Sequence, residues 1–387
     1  MISATTASAP AVNRTHRWAV SAWFFLQGLI FASWASRIPA IQQRMGFSDA
    51  TLGLVLLALP LGQLPSLPLT GWLIHRFGSQ RTAVAGVLLY SSSLVGLGWA
   101  QQPWQLLPCM VLFGFASNLM NISINTQAVG VEALYGKPIM ASFHGMWSLA
   151  GFTGAAVGTA MIGWQVLPQL HFLLIAGLVL AGGLISYGAL LPHSVSDDAG
   201  EQPAFVLPDR TLLGLGAIAF CALICEGAMF DWSGVYFQKV VRAEKAWVGA
   251  GYTAFMSTMA LGRFGADWLT ARLGPKRVIQ CSGLLTATGL LVAVLFPTLG
   301  TALLGFMLVG FGTSSVVPLV YSAAGKSEVM PAGMALAAVS TIGFLGFLIG
   351  PPVIGLVAGA TSLRFSFALI AVMGLCVAAV ATRAKLR

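Results

Sequence analysis

Long apolar runs alternate with short polar or Gly/Pro-containing breaks along almost the whole chain. Each run is close to the roughly 20 residues that a helix needs to cross a bilayer. The runs fall at 18–38, 50–74, 82–100, 104–128, 138–164, 170–191, 211–237, 247–271, 277–296, 300–324, 332–358 and 363–383. This pattern predicts an all-α membrane protein with twelve transmembrane helices.

A polar stretch separates the sixth run from the seventh. Between Pro192 and Arg210 it contains serines, acidic residues, a glycine and prolines, which is typical of a solvated linker. The sequence therefore predicts two six-helix bundles, at 1–191 and 211–387, joined by a cytoplasmic linker at 192–210.

The two predicted bundles are related by an internal repeat. A constant offset of 196 residues places Arg76, Gly78, Arg81, Gly114 and Gly154 on Arg272, Gly274, Arg277, Gly310 and Gly350. One offset that holds over about 100 residues is difficult to obtain by chance. Repeated halves of this kind place a binding site between them, near the middle of the membrane.

The composition agrees with a lipid environment. Hydrophobic residues make up 57% of the chain and charged residues only 8%, whereas soluble proteins carry roughly 25% charged residues. The net charge of +9 is spread over single lysines and arginines between the apolar runs, which disfavours nucleic acid as a partner.

The positions of the basic residues predict the orientation. Fourteen of the 20 lysines and arginines, Arg263 among them, fall on one side if both termini lie in the cytoplasm. Positive residues accumulate on the cytoplasmic side of membrane proteins. We therefore expect a multi-pass protein of the cell inner membrane with both termini inside.

Enzyme signatures are missing from the sequence. It contains no phosphate-binding Gly-Lys-Ser/Thr loop, no cluster with metal-ligand spacing and no nucleophile elbow. The prediction is a protein that is not an enzyme and has no cofactor and no metal, and that acts as a monomer in the lipid bilayer on a small-molecule solute and protons.

The turn after the second span and its repeat carry a recognisable motif. The first copy runs from Gly71 to Arg81 as Gly-Trp-Leu-Ile-His-Arg-Phe-Gly-Ser-Gln-Arg, and the second begins at Asp267. This motif resembles the loop signature of the major facilitator superfamily. The resemblance to that family covers essentially the whole chain. The resemblance implies a cytoplasmic gate formed by Gly71, His75, Arg76, Gly78, Arg81, Asp267, Arg272, Gly274 and Arg277.

The second copy and the first both depart from the family pattern. His75 and Ala271 stand where the family has an aspartate, so its charge relay is incomplete, and Asp267 could replace part of it. The alternative is that these arginines only set the orientation of the chain.

Three further segments resemble a bacterial branch related to fucose permeases. They are Glu226 to Tyr236, Arg37 to Pro39 and Phe143 to Ser148. The resemblance implies a secondary transporter that works by alternating access. It does not identify the solute, because many members of that branch have no assigned substrate.

Two acidic residues lie inside the seventh span. A carboxylate in the membrane is costly and burial disfavours its charged form, so Glu226 is a candidate proton carrier. Asp231 follows five residues later, so the two side chains diverge by about 140° around an ideal helix. The alternative for either acid is a structural pair with a buried arginine or a helix cap.

Three amides form a stripe in the fourth span. Asn118, Asn121 and Asn125 fall within about 60° of one another around the helix. They could bind a polar solute, or they could join the helix to a neighbour, as Asn does in membrane proteins. The repeat places Tyr321 opposite Asn125.

Other polar and aromatic residues share faces in the first and fifth spans. His144, Trp147 and Ser148 form one such face, and Gln27 and Trp34 belong to another. Helix packing explains single members equally well. The predicted solute contacts are Gln27, Trp34, Arg37, Asn118, Asn121, Asn125, Trp147, Ser148, Trp232 and Tyr321, and the predicted proton-coupling residues are Glu226, Asp231 and His144.

These observations predict a proton-coupled secondary transporter of a small polar solute, such as a sugar or a related metabolite. A proton antiporter that exports a drug or metabolite would use the same fold and the same acids. A membrane sensor or scaffold without transport activity is the third possibility.

Overall fold

The computed structural model describes residues 14–136, 139–192, 210–327 and 332–384. Side chains at 210, 211, 332 and 333 are not included in that description. Most of the predicted linker at 192–210 lies outside the described residues, so the domain boundaries at 191 and 211 stay a prediction.

Within the described residues, six helices form the first half of the molecule. They are α1 (Arg14–Met45), α2 (Asp49–Leu56 continuing as Ala58–Phe77), α3 (Ser79–Trp99), α4 (Pro103–Tyr135), α5 (Met140–Gly163) and α6 (Pro168–Tyr187). The break in α2 at Leu57 is small, because Leu57 itself keeps a right-handed helical conformation.

Six more helices form the second half in the part of the chain that the structure describes. They are α7 (Arg210–Tyr236, extended by a π-helical turn Phe237–Val241), α8 (Ala250–Leu273), α9 (Pro275–Leu295), α10 (Leu299–Ser314 continuing as Val316–Gly325), α11 (Ala332–Ala360) and α12 (Leu363–Arg383). The short 3₁₀ turn Lys245–Trp247 precedes α8.

The prediction of an all-α membrane fold is confirmed. Within the described ranges, eleven helices are long and apolar enough to cross a membrane. The remaining helix is α8, whose apolar character is reduced by Arg263, Asp267 and Arg272. It nevertheless packs along α10 and α5 in the position of a twelfth span.

The internal repeat is confirmed by the helix boundaries. An offset of 196 residues converts Ser79–Trp99 into Pro275–Leu295 and Arg14–Met45 into 210–241. Gly78 and Gly274, which precede α3 and α9, have the same extended conformation with positive φ, with φ 82° and 78° and ψ 154° in both. Glycine adopts this conformation without the steric cost that a Cβ atom imposes.

The same repeat fixes how helices pack inside each half. Gly114 of α4 lies against the carbonyl of Leu59 in α2, and Gly310 of α10 lies against the carbonyl of Phe255 in α8. A side chain at either glycine would overlap the facing backbone. Small residues allow this close approach between membrane helices.

The two halves meet mainly at one end of the molecule. There Gly53 contacts Gly355, and the hydroxyls of Thr159 and Thr253 are 3.0 Å apart. The Asp49–Leu56 segment of α2 packs extensively against α11, whereas Ala58–Phe77 barely touches it. Helices α2 and α11 are therefore close together at this end and apart toward the end that carries the turns at Gly78 and Gly274.

Candidate functional site

A cavity of about 400 Å³ lies between the two halves. Its walls are supplied by α1, α2, α3, α4 and α5 from the first half and by α7, α8 and α11 from the second. The lining residues are Phe24, Gln27, Phe31, Leu56, Leu59, Pro60, Gln63, Tyr90, Ser117, Asn118, Asn121, His144, Trp147, Glu226, Gly227, Phe230, Asp231, Arg263, Phe344, Phe347 and Pro351. This volume falls in the usual range for small-molecule sites.

An ion pair stands at the centre of the cavity wall. Glu226 lies in the middle of α7, and its carboxylate Oε1 is 3.3 Å from Nη2 of Arg263 on α8. Arg263 was counted in the sequence among the cytoplasmic charges that orient the chain. That assignment is wrong, because its guanidinium lines the cavity beside Glu226.

Arg263 also binds the other half of the molecule. Its Nη1 donates a hydrogen bond of 2.7 Å to the Ser148 hydroxyl on α5. Its guanidinium carbon lies 5.7 Å from the centroid of the Trp147 ring, within the range of a cation–π contact. A single side chain therefore connects the Glu226 carboxylate in the second half to two residues of the first half.

Asp231 is the second carboxylate in the cavity wall. It lies one and a half turns beyond Glu226 on α7 and is partly exposed. Among the described residues it has no hydrogen-bond or ion-pair partner. The cavity thus contains one carboxylate with a partner and one without.

The amide stripe of α4 is divided between the cavity and the helix packing. Asn118 and Asn121 line the cavity, whereas Asn125 does not and donates to Asn121 Oδ1 at 3.1 Å. Asn118 Nδ2 also donates to the Ser66 hydroxyl of α2 at 2.6 Å. The sequence left two alternatives open for Asn118, a contact with the solute or a bond between helices. In the structure Asn118 both lines the cavity and joins α4 to α2.

The amide of Gln27, in α1, lies beside the amides of α4. Its Nε2 donates to the backbone carbonyl of Ser117 at 3.3 Å. Its Oε1 is buried and has no partner in the described structure. Gln63 of α2 lines the same cavity, and sequence reasoning missed it because it stands in an apolar, proline-containing run.

Aromatic rings form the rest of the wall. The ring of Phe230 lies edge-on to Phe31, with centroids 5.2 Å apart, and 6.2 Å from Trp147. Phe230 therefore carries contacts from the second half to two helices of the first. His144 lines the cavity as expected, and its ring lies 5.2 Å from that of Phe24.

Four predicted solute contacts lie outside the cavity and are corrected. The ring of Trp34 packs against Phe113 at 5.9 Å, and Trp232 is fully buried because it is rotated about 100° from Asp231 on the helix. Arg37 donates to His171 Nδ1 at 3.1 Å and to the carbonyl of Val166 at 2.9 Å, so its charge is used inside the first half. Tyr321 packs with an apolar cluster of the second half.

Asn125 and Ser148 also lie outside the cavity lining. Neither side chain lines the cavity, and each contacts a residue that does. Their effect on a solute would therefore pass through Asn121 and Arg263.

The predicted gate residues lie at the end that carries the turns at Gly78 and Gly274. Arg76 stacks on Trp72, with 5.9 Å between guanidinium carbon and ring centroid, and Arg272 stacks on Trp268 at 4.2 Å. Asp267 has no ion-pair partner in the parts of the chain that the structure describes. A gating role for these residues stays a prediction.

Comparison with known proteins identifies the family. A family model described as Major Facilitator Superfamily matches residues 20–327 and 242–386. An uncharacterized MFS-type transporter of Yersinia pestis is 35% identical over 362 residues, which cover 92% of each chain.

Solved structures show the same fold. The nucleoside transporter NupG superimposes with a TM-score of 0.75 at 18% identity over 95% of this chain and 98% of that one. The fucose:proton symporter FucP of E. coli gives a TM-score of 0.62 at 15% identity over 95% and 97%. At such low identity these likenesses concern the fold and not the solute. The chain is a multi-pass membrane protein that belongs to the Major Facilitator Superfamily of transporters.

Proposed function

We propose that the protein is a proton-coupled secondary transporter that moves a small polar solute by alternating access. The observation that carries this proposal is the Glu226–Arg263 pair, which lines the cavity and also contacts Ser148 of the opposite half. Amides of the first half face this pair across the cavity and would bind the solute.

The coupling follows from electrostatics in a medium of low polarity. Placing a charged residue in the middle of a membrane helix costs roughly 2.5–3.5 kcal/mol on insertion scales, and the Glu226–Arg263 attraction offsets part of that cost. A proton on Glu226 removes the attraction. Arg263 then loses the partner that positions it against Ser148, so that protonation weakens a contact between the halves.

Alternating access requires the halves to move as units. We assign these units to residues 1–191 and 211–387, connected by the linker 192–210, and we expect the protein to act as a monomer. Each unit rocks against the other around the cavity. Solute binding and protonation shift the balance between the two arrangements only in so far as they favour one of them.

The distribution of basic residues predicts which end of the molecule faces the cytoplasm. With both termini in the cytoplasm of an inner-membrane protein, the turns at Gly78 and Gly274 lie on the cytoplasmic side. The closed end, where Gly53 contacts Gly355, then faces outward. The arrangement described above is accordingly an inward-facing one, with the gate residues at its open mouth.

The test uses purified protein in liposomes loaded with a pH-sensitive dye. Sugars, amino acids, nucleosides and amines are added one at a time outside the vesicles, and solute-dependent acidification of the lumen reports symport. Glu226→Gln should abolish this acidification while solute exchange without a pH gradient continues. Glu244→Gln serves as the control, since Glu244 is an exposed acid in a loop away from the cavity.

Each rival has its own result in this assay. Alkalinisation of the lumen beyond that in protein-free liposomes, where a permeant amine alone takes up protons, would indicate antiport and thus export of a drug or metabolite. The absence of any solute-dependent flux across the whole panel would favour a sensor or scaffold. Unchanged proton movement in Glu226→Gln would reject the coupling role of Glu226.

A further inference from the structure

The charges in the cavity wall do not balance. The charged residues that line it are Glu226, Asp231 and Arg263, with the His144 imidazole counted as neutral. Arg263 pairs with Glu226 at 3.3 Å, so these two charges offset one another. The carboxylate of Asp231 remains as the unpaired charge of the described cavity, and it is partly exposed to that cavity.

Among the described residues, three amides of the same cavity wall differ in the polar atom that they leave without a partner. Gln27 uses Nε2 on the carbonyl of Ser117, which leaves Oε1 buried and without a partner. Asn118 uses Nδ2 on Ser66, so its Oδ1 is the atom still available. Asn121 is the reverse case, because its Oδ1 accepts from Asn125 and its Nδ2 remains free to donate. Among these three amides, two carbonyl oxygens and one amino group are therefore left without a partner in the described structure.

Aromatic rings complete the environment. Phe31, Trp147 and Phe230 line the same cavity and contact one another edge-on or at a tilt. The face of an aromatic ring attracts cations, and the attraction is stronger where water is excluded. These rings also suit the apolar side of a ring-shaped solute.

We propose that the solute is a small organic cation, a hydroxylated amine whose ammonium group binds Asp231. The ammonium donates to the carboxylate, a further N–H or O–H group donates to Asn118, and a hydroxyl oxygen accepts from Asn121. This inference rests on the proposed transport function and specifies its substrate class.

Neutral and anionic solutes fit the same wall poorly. A neutral solute would displace water from Asp231 and leave a carboxylate without a counter-charge, so its binding has the added cost of placing a proton on Asp231. An anion would have to displace Glu226 from Arg263 and would also be repelled by Asp231. An amine meets neither obstacle and forms a charge-assisted hydrogen bond.

The test measures binding to purified full-length protein with matched probes. Glucosamine, glucose and glucuronate form one set, and cyclohexylamine, cyclohexanol and cyclohexanecarboxylate form another, within a wider library of ring amines that each have a neutral and an acidic analogue. Thermal stabilisation and quenching of tryptophan fluorescence report binding, since Trp147 lines the cavity. We expect the amine of a binding set to bind about 10-fold more tightly than its neutral analogue.

The variants assign this preference to one carboxylate. In Asp231→Asn the amine and its neutral analogue should bind with about equal affinity, whereas Asp231→Glu and the loop control Glu244→Gln should keep the preference. A preference that survives Asp231→Asn, tighter binding of neutral or acidic probes, or no binding by any amine in the library would overturn the proposal.

Flux measurements separate this failure from failure of the proposed function. Proton-coupled flux of a neutral or acidic solute would overturn the cation assignment and leave the transporter intact. Binding of amines without flux of any solute would overturn the proposed transport function and leave the cation assignment intact.

Discussion

The two halves of the transporter share one architecture and contribute different chemistry to the cavity. The first half supplies amides, at Gln27, Gln63, Asn118 and Asn121, and the second supplies charges, at Glu226, Asp231 and Arg263. The offset of 196 residues places Ile30, Ala35 and Leu67 opposite the three charges, and Leu223, Met259, Ser314 and Val317 opposite the four amides. No charged or amide residue of this set has an equivalent of its own kind in the other half.

The positions that hold helices together behave differently. Gly114 and Gly310 are equivalent, and each lies against a backbone carbonyl of a neighbouring helix. Such a contact excludes any larger side chain, so the same residue is required in both halves. A cavity wall has no such restriction, because a different side chain only changes what the cavity binds. The repeat therefore preserves packing and leaves the chemistry of each half free to diverge.

The largest expected effect follows from removing the cation of the charged half. Arg263→Ala leaves Glu226 in the wall without its partner and breaks the bond to Ser148. We expect complete loss of transport and a decrease of roughly 3 kcal/mol in the free energy of unfolding in detergent, since loss of one member of a buried pair is strongly destabilising.

Two controls separate the structural effect from the functional one. Leu67→Ala changes the equivalent position of the first half, which is exposed, and should have little effect on either quantity. Replacing both Arg263 and Glu226 by leucine should recover most of the stability while transport remains absent. Recovery of transport in that double variant would show that the pair is only structural.

Packing should respond equally in the two halves. Gly114→Ala and Gly310→Ala each place a Cβ atom against a backbone carbonyl, and we expect both to reduce the free energy of unfolding by about 2 kcal/mol. Thermal unfolding in detergent measures this. Gly177→Ala is the matched control, because its Cβ atom would meet no neighbour within 4 Å. Tolerance of one substitution and not the other would contradict the equivalence of the halves.

The amide half should respond more weakly. Asn118→Ala removes the hydrogen bond to Ser66 and one amide of the cavity, and it should cost about 1 kcal/mol of stability. Because Asn118 lines the cavity, the KM for transport should also rise. Ser66→Ala should reproduce the loss of stability without the full change in KM. Ser314→Ala, at the position equivalent to Asn118 and outside the cavity lining, should leave the KM unchanged. An unchanged KM in Asn118→Ala would remove it from the solute site.

The smallest effect belongs to a contact at the closed end. Lys239 of the second half pairs with Asp49 of the first at 2.5 Å, and the lysine side chain is 40% exposed. Exposed pairs contribute about 0.2–1 kcal/mol. Asp49→Asn should therefore shift the population of closed and open arrangements by only a few-fold, measured as distances between spin labels across this end. A shift of about 100-fold would make this pair a principal lock of the closed end.

The fold could be predicted from the sequence because bilayer thickness fixes the length of each apolar run. The same uniformly apolar runs explain why two residues of the cavity wall were missed. Phe230 and Gln63 are inconspicuous in the sequence, Phe230 because an aromatic residue in an apolar run does not show whether it faces lipid, protein or a cavity. Helical periodicity gives the face of a residue and not its neighbours, so Trp34 and Arg37 were placed at the site and lie outside it.

The charged residues also show that a sequence does not reveal the neighbours of a side chain. Glu226 and Asp231 stood out because acids are rare in membrane helices. Arg263 was missed because it lies in α8 together with Asp267 and Arg272, where a basic residue resembles one at a membrane boundary. Only the packing of α8 against α7 and α5 places its guanidinium between Glu226 and Ser148.

The central claim is that a solute binds between the amides of one half and the charges of the other. A cryo-EM structure of the protein with a solute found in the flux assay tests this most directly. We predict density for that solute within hydrogen-bonding distance of Gln27, Asn118 or Asn121 on one side and of Glu226, Asp231 or Arg263 on the other. Density bound to residues of one half alone, or outside this cavity, would contradict the account.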